Sequence, residues 1–227
     1  DRDRNDSIPS SFTWYWLPGT TSPPDHLAAG ELLAWRRQVL VDGGDAAAFD
    51  WLLDMAAGVD WQTLQALRLH PERTVTLLCS RARIEGLWGR HRREHVPLQY
   101  LLGRCPWRDL DLAVAPGVLI PRQDSELLVD LALAAARDAA GSTHLLWADL
   151  GTGSGCLALG LARALPGAAG FATDCSAEAL RQAAANGEAL GLAPRIRWLQ
   201  GSWWEPLRPW WGQLALVVSN PPYILSL

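Results

Sequence analysis

The chain has 227 residues, which is enough for one large domain or for a small domain followed by a larger one. Its 20 basic residues are all arginine, so chemistry that needs a lysine within this span, such as a P-loop or a Schiff base, is excluded. The formal net charge is −4, which argues against a nucleic-acid-binding surface over the whole chain. A local basic patch stays possible.

Cysteine usage and hydropathy indicate the compartment. Cys79, Cys105, Cys156 and Cys175 form no C-x-x-C pair, which favours free thiols in a reducing compartment over a disulfide framework or a metal site. No apolar run reaches the ~20 residues of a membrane span, and the start lacks the pattern of a signal peptide. We therefore expect a cytoplasmic protein with no membrane partner.

The first 96 residues divide into a polar start and a helical region. Residues 1–24 are rich in Pro, Ser and Thr, which predicts a disordered extension. Residues 25–96 have apolar side chains at helical spacing, interrupted by Gly and Pro. The pattern predicts a small all-α helical bundle, with helices at about 25–42, 45–55, 60–67 and 71–94.

A linker with a β-hairpin is predicted over residues 97–124. Apolar residues alternate from Leu110 to Val114, Pro116 and Gly117 suggest a turn, and an apolar run follows at 118–120. Asp124 or Ser125 is then expected to cap a helix that extends to about residue 140.

From residue 125 to 227, strand and helix patterns alternate. Strands are predicted at 145–150, 170–174, 196–199 and 214–219, and helices at 156–165 and 177–190. Alternation of this kind predicts an α/β fold with a Rossmann-like, parallel, doubly wound sheet. In such sheets ligands bind at the carboxyl ends of the strands.

A glycine-rich loop follows the first of these strands, with the sequence D-L-G-T-G-S-G at 149–155. Glycines allow a tight turn and close approach of the backbone to a ligand, at the N-terminus of a helix. The second strand ends in Asp174, whose carboxylate suits the two ribose hydroxyls of a nucleoside cofactor. Such a loop serves dinucleotides and S-adenosylmethionine alike, and Asp174 could instead cap the next helix.

Two further strand ends carry candidate residues. Trp203 follows the third strand, where its ring could cover an adenine face. The fourth strand leads into N-P-P-Y at 220–223, where prolines remove amide donors and leave the Asn220 side-chain oxygen and the Pro221 carbonyl as acceptors. These acceptors suit a planar NH2 group, with Tyr223 packed against its face, and favour methyl transfer to a poor nitrogen nucleophile.

Together with these motifs, P-L-Q-Y-L-L-G at 97–103, L-I-P-R-Q-D-S-E at 119–126 and A-T-D at 172–174 make the chain resemble the HemK/PrmC family from about residue 27 onward. These are class I S-adenosylmethionine-dependent enzymes that methylate the N5 amide of a glutamine. Their substrates are class 1 peptide chain release factors, modified in the Gly-Gly-Gln motif that acts in translation termination. The resemblance implies that the helical domain contacts the release factor and that no nucleic acid is bound directly.

The resemblance also implies roles for individual residues. It assigns cofactor binding to the loop, the two strand ends and the junction with the substrate: Gly151, Thr152, Gly153, Ser154, Gly155, Asp174, Trp203 and Asn220. It assigns catalysis to Asn220, Pro221 and Tyr223, and substrate binding to these three with Pro222. No metal is implied. Arg122 would stand near the cofactor's carboxylate or form an ion pair with Asp124 or Glu126.

The chain departs from the family pattern at two places. Ser202 replaces an acid that often precedes the aromatic at the adenine site, and Gln123 replaces a common proline. The alternatives are a ribosomal-protein glutamine methyltransferase, a nucleic-acid adenine N6-methyltransferase and a non-catalytic cofactor-binding fragment. The basic run at 90–95 is the only candidate patch for nucleic acid.

The family sheet continues beyond four strands, whereas the sequence ends eight residues into the segment that begins at Asn220. A βαβ unit takes ~30 residues, so the resemblance predicts a C-terminal truncation that removes the last strands. We expect such a chain to expose a sheet edge and to be poorly soluble or inactive by itself.

Overall fold

The architecture is taken from a computed structural model that describes residues 25–41, 43–138 and 145–221. The chain forms two compact units, which divide between Leu102 and Gly103. The predicted extension at 1–24 lies outside the described residues. None of the helices in the described ranges is long and apolar enough to cross a membrane.

The first unit contains five helices and two short strands within its described part. They are β1 (Asp25–Ala28), α1 (Ala29–Val41), α2 (Ala46–Ala57), α3 (Trp61–Leu69), β2 (Thr74–Leu77), α4 (Arg81–Glu94) and α5 (Leu98–Leu102). β1 pairs antiparallel with β2, with Asp25 opposite Leu77. The core contains Leu32, Phe49 and Leu53, none of which is exposed.

The helices of the first unit begin where the sequence supplies caps. The side chains of Asp45, Asp60 and Ser80 accept backbone N–H groups at the starts of α2, α3 and α4. Gly58 ends α2 with a φ of 71°, a left-handed conformation that glycine adopts without a Cβ clash. The predicted boundaries of α2 and α3 therefore agree closely with the structure.

The expectation of an all-α first unit was wrong in one respect. Residues 25–28 form a strand before α1, and residues 74–77 form a second strand where a single helix from 71 to 94 was predicted. Thr74, Val75 and Thr76 are β-branched, and this favours a strand. Their pairing partner lies about fifty positions earlier, so helical spacing along the chain could not reveal it.

The second unit contains six strands and three helices in its described part. They are β3 (Arg104–Trp107), β4 (Leu110–Ala113), α6 (Glu126–Asp138), β5 (Leu146–Leu150), α7 (Cys156–Ala164), β6 (Ala169–Asp174), α8 (Ala177–Ala189), β7 (Ile196–Gln200) and β8 (Leu216–Ser219). Short 3-10 turns lie at 123–125, 193–195 and 205–210.

The hairpin was predicted with the wrong turn. β3 pairs with β4 through a turn at Arg108, which has a φ of 52°, and residues 118–120 form no strand. Arg104 and Asp111 stabilise the hairpin with two side-chain hydrogen bonds, a cross-strand contact between positions seven residues apart. α6 begins at Glu126, directly after the predicted cap position at Ser125, but the Ser125 hydroxyl donates to the Arg122 carbonyl.

The central sheet confirms the predicted parallel α/β fold. Its strand order is β7-β6-β5-β8, and every neighbouring pair is parallel. From β5 the chain moves outward through β6 to β7 and then returns to the other side of β5 with β8. The carboxyl ends of β5 and β8 therefore lie at a topological switch point, where open α/β sheets bind ligands.

Candidate active site

The loops at the carboxyl edge of the sheet surround one cavity of about 390 Å³. This volume lies within the range of about 300–1,000 Å³ that is usual for small-molecule sites. The segment 117–122 that follows β4 forms one wall, and the glycine loop also lines the cavity. Residues after β6, β7 and β8 complete the lining.

The glycine loop adopts the left-handed backbone that its glycines allow. Gly151, Gly153 and Gly155 have φ values of 72°, 57° and 88°. The amides of Gly151 and Thr152 both donate to the Thr173 carbonyl at 2.9 Å, which joins the loop to the end of β6. A Cβ on Gly151 or Gly153 would meet no atom within 4 Å, whereas one on Gly155 would lie 3.0 Å from a methyl group of α8.

The N-terminus of α7 opens onto this loop, and the Ala158 amide of its first turn donates to the Asp149 carboxylate. The N-cap of α7 is Gly155, which has no side chain, while α8 is capped by the Ser176 hydroxyl, which accepts the amide of Ala179. A helix N-terminus presents backbone donors and the positive end of the helix dipole. The loop therefore suits a ligand that bears acceptors or negative charge near the start of α7.

Asp149 lies beneath the loop, with no exposed surface. One of its carboxylate oxygens accepts the Thr152 hydroxyl at 2.7 Å and the Ala158 amide at 3.2 Å. Its other oxygen, Oδ1, has no hydrogen-bond partner among the described residues. Burial raises the pKa of Asp149 to about 7, because the charged form loses its hydration.

Asp174 ends β6 at the edge of the cavity. Its carboxylate accepts the Gly153 amide at 3.0 Å and the Ser176 amide at 2.9 Å. Because Ser176 caps α8, the alternative that Asp174 is the helix cap is wrong. Each oxygen accepts one of these bonds and retains a lone pair for a further donor.

Four other predicted residues line the same cavity: Thr152, Ser154, Trp203 and Asn220. Trp203 has a φ of 47°, a half-exposed side chain, and a carbonyl that accepts the Thr173 hydroxyl at 3.4 Å. Pro221 also lines the cavity, whereas Pro222 and Tyr223 lie outside the described residues. Gly155 is not part of the lining and packs against α8.

The wall at 117–122 is fixed by a buried tryptophan. The Trp107 indole donates to the Arg122 carbonyl at 2.9 Å, and Ser125 donates its hydroxyl to the same oxygen. Arg122 lines the cavity and forms no ion pair with Asp124 or Glu126, both of which the structure describes. The ion-pair alternative for this arginine was therefore wrong.

Sequence reasoning missed Asn186, which lies in the middle of α8 and is only 3% exposed. Its amide donates to the carbonyls of Ala113 and Ser154, and its oxygen accepts the Ala113 amide. A signal was present in the sequence. Asn186 shares the apolar face of the helix with Ala179 and Ala183, where a poor helix former is out of place.

Two side chains of the basic run at 90–95 contact neighbouring residues of the same segment. Arg90 pairs with Glu94 at 3.2 Å, and the His91 ring lies 2.8 Å from the Val96 carbonyl oxygen and packs against Trp88. Across the described ranges, no group of three His, Cys, Asp or Glu side chains is placed to hold a metal ion.

Comparison with known proteins first identifies the class. Residues 125–225 match the family model "Methyltransferase small domain". With its parallel sheet and the glycine loop at the switch point, the second unit is a Rossmann-like class I methyltransferase domain of the kind that uses S-adenosylmethionine.

Curated relatives identify the family. A release factor glutamine methyltransferase of Prochlorococcus marinus is 48% identical over 197 residues, which are 87% of this chain and 67% of the relative. The enzyme with the same name from Gloeobacter violaceus is 44% identical over 85% of this chain and 65% of its own length. The one from Geobacter sulfurreducens is 37% identical over 90% of this chain and 68% of its own length. The chain belongs to the release factor glutamine methyltransferase family and spans about two thirds of the length of these relatives.

Proposed function

We propose that the protein transfers a methyl group from S-adenosylmethionine to the N5 side-chain amide of the glutamine in the Gly-Gly-Gln motif of class 1 peptide chain release factors. One observation carries the proposal. Asn220 and Pro221, at the end of β8, line the same cavity as the glycine loop and Asp174. A methyl donor and an amide acceptor can therefore meet in one cavity. Relatives of this chain are named release factor glutamine methyltransferases.

The glycine loop fits the cofactor that we assign to it. The space around the Cβ positions of Gly151 and Gly153 is open, so a ligand can approach their backbone closely. The N-terminus of α7, whose N-cap glycine has no side chain, suits the acceptor groups of the methionine end. When bound, S-adenosylmethionine supplies a methyl group that is activated by its sulfonium charge.

The rest of the cofactor would lie along the neighbouring strand ends. The remaining lone pairs of Asp174 suit the two ribose hydroxyls, while Gly153 and Ser176 hold the carboxylate in place. The half-exposed ring of Trp203 supplies a flat apolar surface for the adenine. We assign Arg122, in the wall at 117–122, to the carboxylate of the methionine group.

For the acceptor, we assign the Asn220 side-chain oxygen and the Pro221 carbonyl to the two N–H bonds of the glutamine amide. Neither proline at 221 and 222 has an N–H that could compete for these oxygens. Pro222 and Tyr223 complete the acceptor pocket in this proposal, with the phenol ring against the amide plane. We assign contact with the release factor to the first unit.

Catalysis by these groups relies on positioning and electrostatics. Two fixed acceptors hold both N–H bonds and aim the amide nitrogen at the methyl group, which removes much of the entropic cost of the reaction. The same acceptors stabilise the positive charge that develops on the nitrogen. The proton leaves after methyl transfer, so the absence of lysine from the sequence removes nothing that the reaction needs.

The proposal is tested with labelled S-adenosylmethionine, the full-length protein and a purified class 1 release factor. A release factor whose Gly-Gly-Gln glutamine is changed to alanine is the matched control. We expect label on the unchanged factor and none on the control. Label on the control, or label only on a ribosomal protein or on nucleic acid, would overturn the assignment of the substrate.

A further inference from the structure

We infer that Asn186 is a positioning residue, which holds the glycine loop relative to the end of β4, where the chain leads into the wall at 117–122, through hydrogen bonds to the backbone of both. Its amide nitrogen donates to the Ser154 carbonyl at 2.9 Å and to the Ala113 carbonyl at 3.0 Å. Its oxygen accepts the Ala113 amide at 2.9 Å. One buried side chain therefore joins α8, the end of β4 and the glycine loop.

The surrounding backbone requires a carboxamide at this position. Two carbonyls need donors and one amide needs an acceptor, and a primary carboxamide supplies both in one planar group. A carboxylate of the same shape could serve the Ala113 amide but would face the two carbonyls without a donor. These partners also fix the orientation of the Asn186 amide.

The two anchored segments belong to the cavity lining or lead directly into it. Ser154 belongs to the glycine loop and lines the cavity directly. Ala113 ends β4, four positions before the wall that begins at Gly117 and contains Arg122. Asn186 thus joins the glycine loop and the end of β4 to α8.

α8 is closely packed against the glycine loop, so the hydrogen bonds of Asn186 can hold the loop in a defined position. Ala183 and Gly187, its neighbours on the same face, are buried. A Cβ on Gly155 would lie 3.0 Å from the Ala183 methyl, so loop and helix are already in close contact. The Ser154 carbonyl therefore has little freedom to compensate for a lost hydrogen bond.

The test compares two variants of the full-length protein, each at a buried position that does not line the cavity. Asn186→Asp keeps the shape of the side chain and removes its two donors. Leu192→Ala truncates a buried residue just after α8 that does not line the cavity. Affinity for S-adenosylhomocysteine is measured by calorimetry, and thermal midpoints show how far each change destabilises the fold.

We expect Asn186→Asp to weaken ligand binding about 10- to 100-fold, the cost typical of losing a group that orients ligand-binding atoms. Leu192→Ala should lower the thermal midpoint by a similar amount and leave the dissociation constant within about threefold, because its site is independent of the ligand. An unchanged constant in Asn186→Asp, or equal weakening in both variants, would overturn the inference.

A measurement on the unchanged protein covers the case in which Asn186→Asp does not fold. The Ala113 amide donates to Asn186, so ligand that holds the glycine loop relative to the end of β4 should slow its hydrogen exchange about 10-fold or more. No slowing would contradict the positioning role. The inference rests on the proposed cofactor. Failure of the unchanged protein to bind S-adenosylhomocysteine would overturn both, while binding with no effect at Asn186 would remove this role alone.

Discussion

The two units place their polar side chains in opposite ways. In the first unit, the buried side chains among the described residues are apolar, and the polar groups that cap its helices lie at or near the surface. In the second unit, six polar side chains are buried around the cavity and the sheet beneath it: Ser125, Asp149, Thr152, Ser154, Thr173 and Asn186.

Buried polar groups cost free energy unless each is hydrogen-bonded, so their concentration around one cavity indicates a site held in shape for a ligand. Thr152, Thr173 and Asn186 all form side-chain hydrogen bonds within the second unit, while Asp149 leaves one oxygen unsatisfied. The first unit combines apolar packing with helix caps near the surface. The second unit combines its apolar packing with buried polar side chains around the cavity.

The largest effect is expected from the apolar core of the first unit. Phe49 is fully buried, with its ring 5.8 Å from Trp35 and 5.0 Å from Trp88. Phe49→Ala should destabilise this unit by about 3–5 kcal/mol in urea unfolding, because a cavity replaces the ring. Binding of S-adenosylhomocysteine to the folded protein should change by less than about twofold. A large loss of affinity would contradict the expectation that the core of the first unit stabilises the fold without affecting the ligand-binding cavity.

The buried carboxyl of Asp149, one oxygen of which has no hydrogen-bond partner, should make the free energy of unfolding depend on pH. Its pKa is raised from 3.8 to about 7, so the folded protein holds a proton that the unfolded chain releases. Stability from this group is therefore greatest below pH 4 and falls as the pH rises to about 7. At 1.36 kcal/mol per unit of pKa, the fall is limited to about 4 kcal/mol. Asp149→Asn should remove this component from urea unfolding measured between pH 5 and pH 8. If the free energy of unfolding depends on pH equally in both proteins, the raised pKa of Asp149 is contradicted.

At the acceptor end of the cavity, Asn220→Ala should lower kcat for methyl transfer about 10²- to 10³-fold, as is typical when a group that stabilises the transition state is removed. Affinity for S-adenosylhomocysteine should be partly retained. The control is Ser219→Ala at the end of β8, which loses only a hydrogen bond to the Leu150 carbonyl. An equal loss of turnover in the control would indicate distortion of the strand rather than loss of an acceptor.

The smallest effect separates two glycines of one loop. A Cβ on Gly155 would lie 3.0 Å from Ala183, so Gly155→Ala should cost about 1–3 kcal/mol more stability than Gly153→Ala, which has open space. Both changes force a non-glycine residue to positive φ. Gly153→Ala should mainly weaken ligand binding, because its methyl group enters the cavity. Urea unfolding and ligand titration of the two variants give the comparison.

Sequence patterns predicted the parts of the fold that depend on local spacing. The starts of the helices near Asp45 and Asp60, the four parallel strands and the glycine loop all follow from residues within one element or at its ends. The hairpin turn was misplaced because Pro116-Gly117 is a strong local turn signal. The pairing of β3 with β4 instead buries Trp107 and Leu112.

The sequence alone established the family, the order of the parallel strands along the chain and several residues of the cavity lining, because motifs at strand ends are local features. It did not identify the wall at 117–121, and it included Gly155, which lies outside the lining. Only the tertiary structure decided that Asp174 binds backbone amides rather than capping α8, and that Arg122 lines the cavity without an ion pair. It alone revealed the role of Asn186, which depends on contacts across 73 and 32 positions. Such contacts follow from packing, and no short-range pattern encodes them.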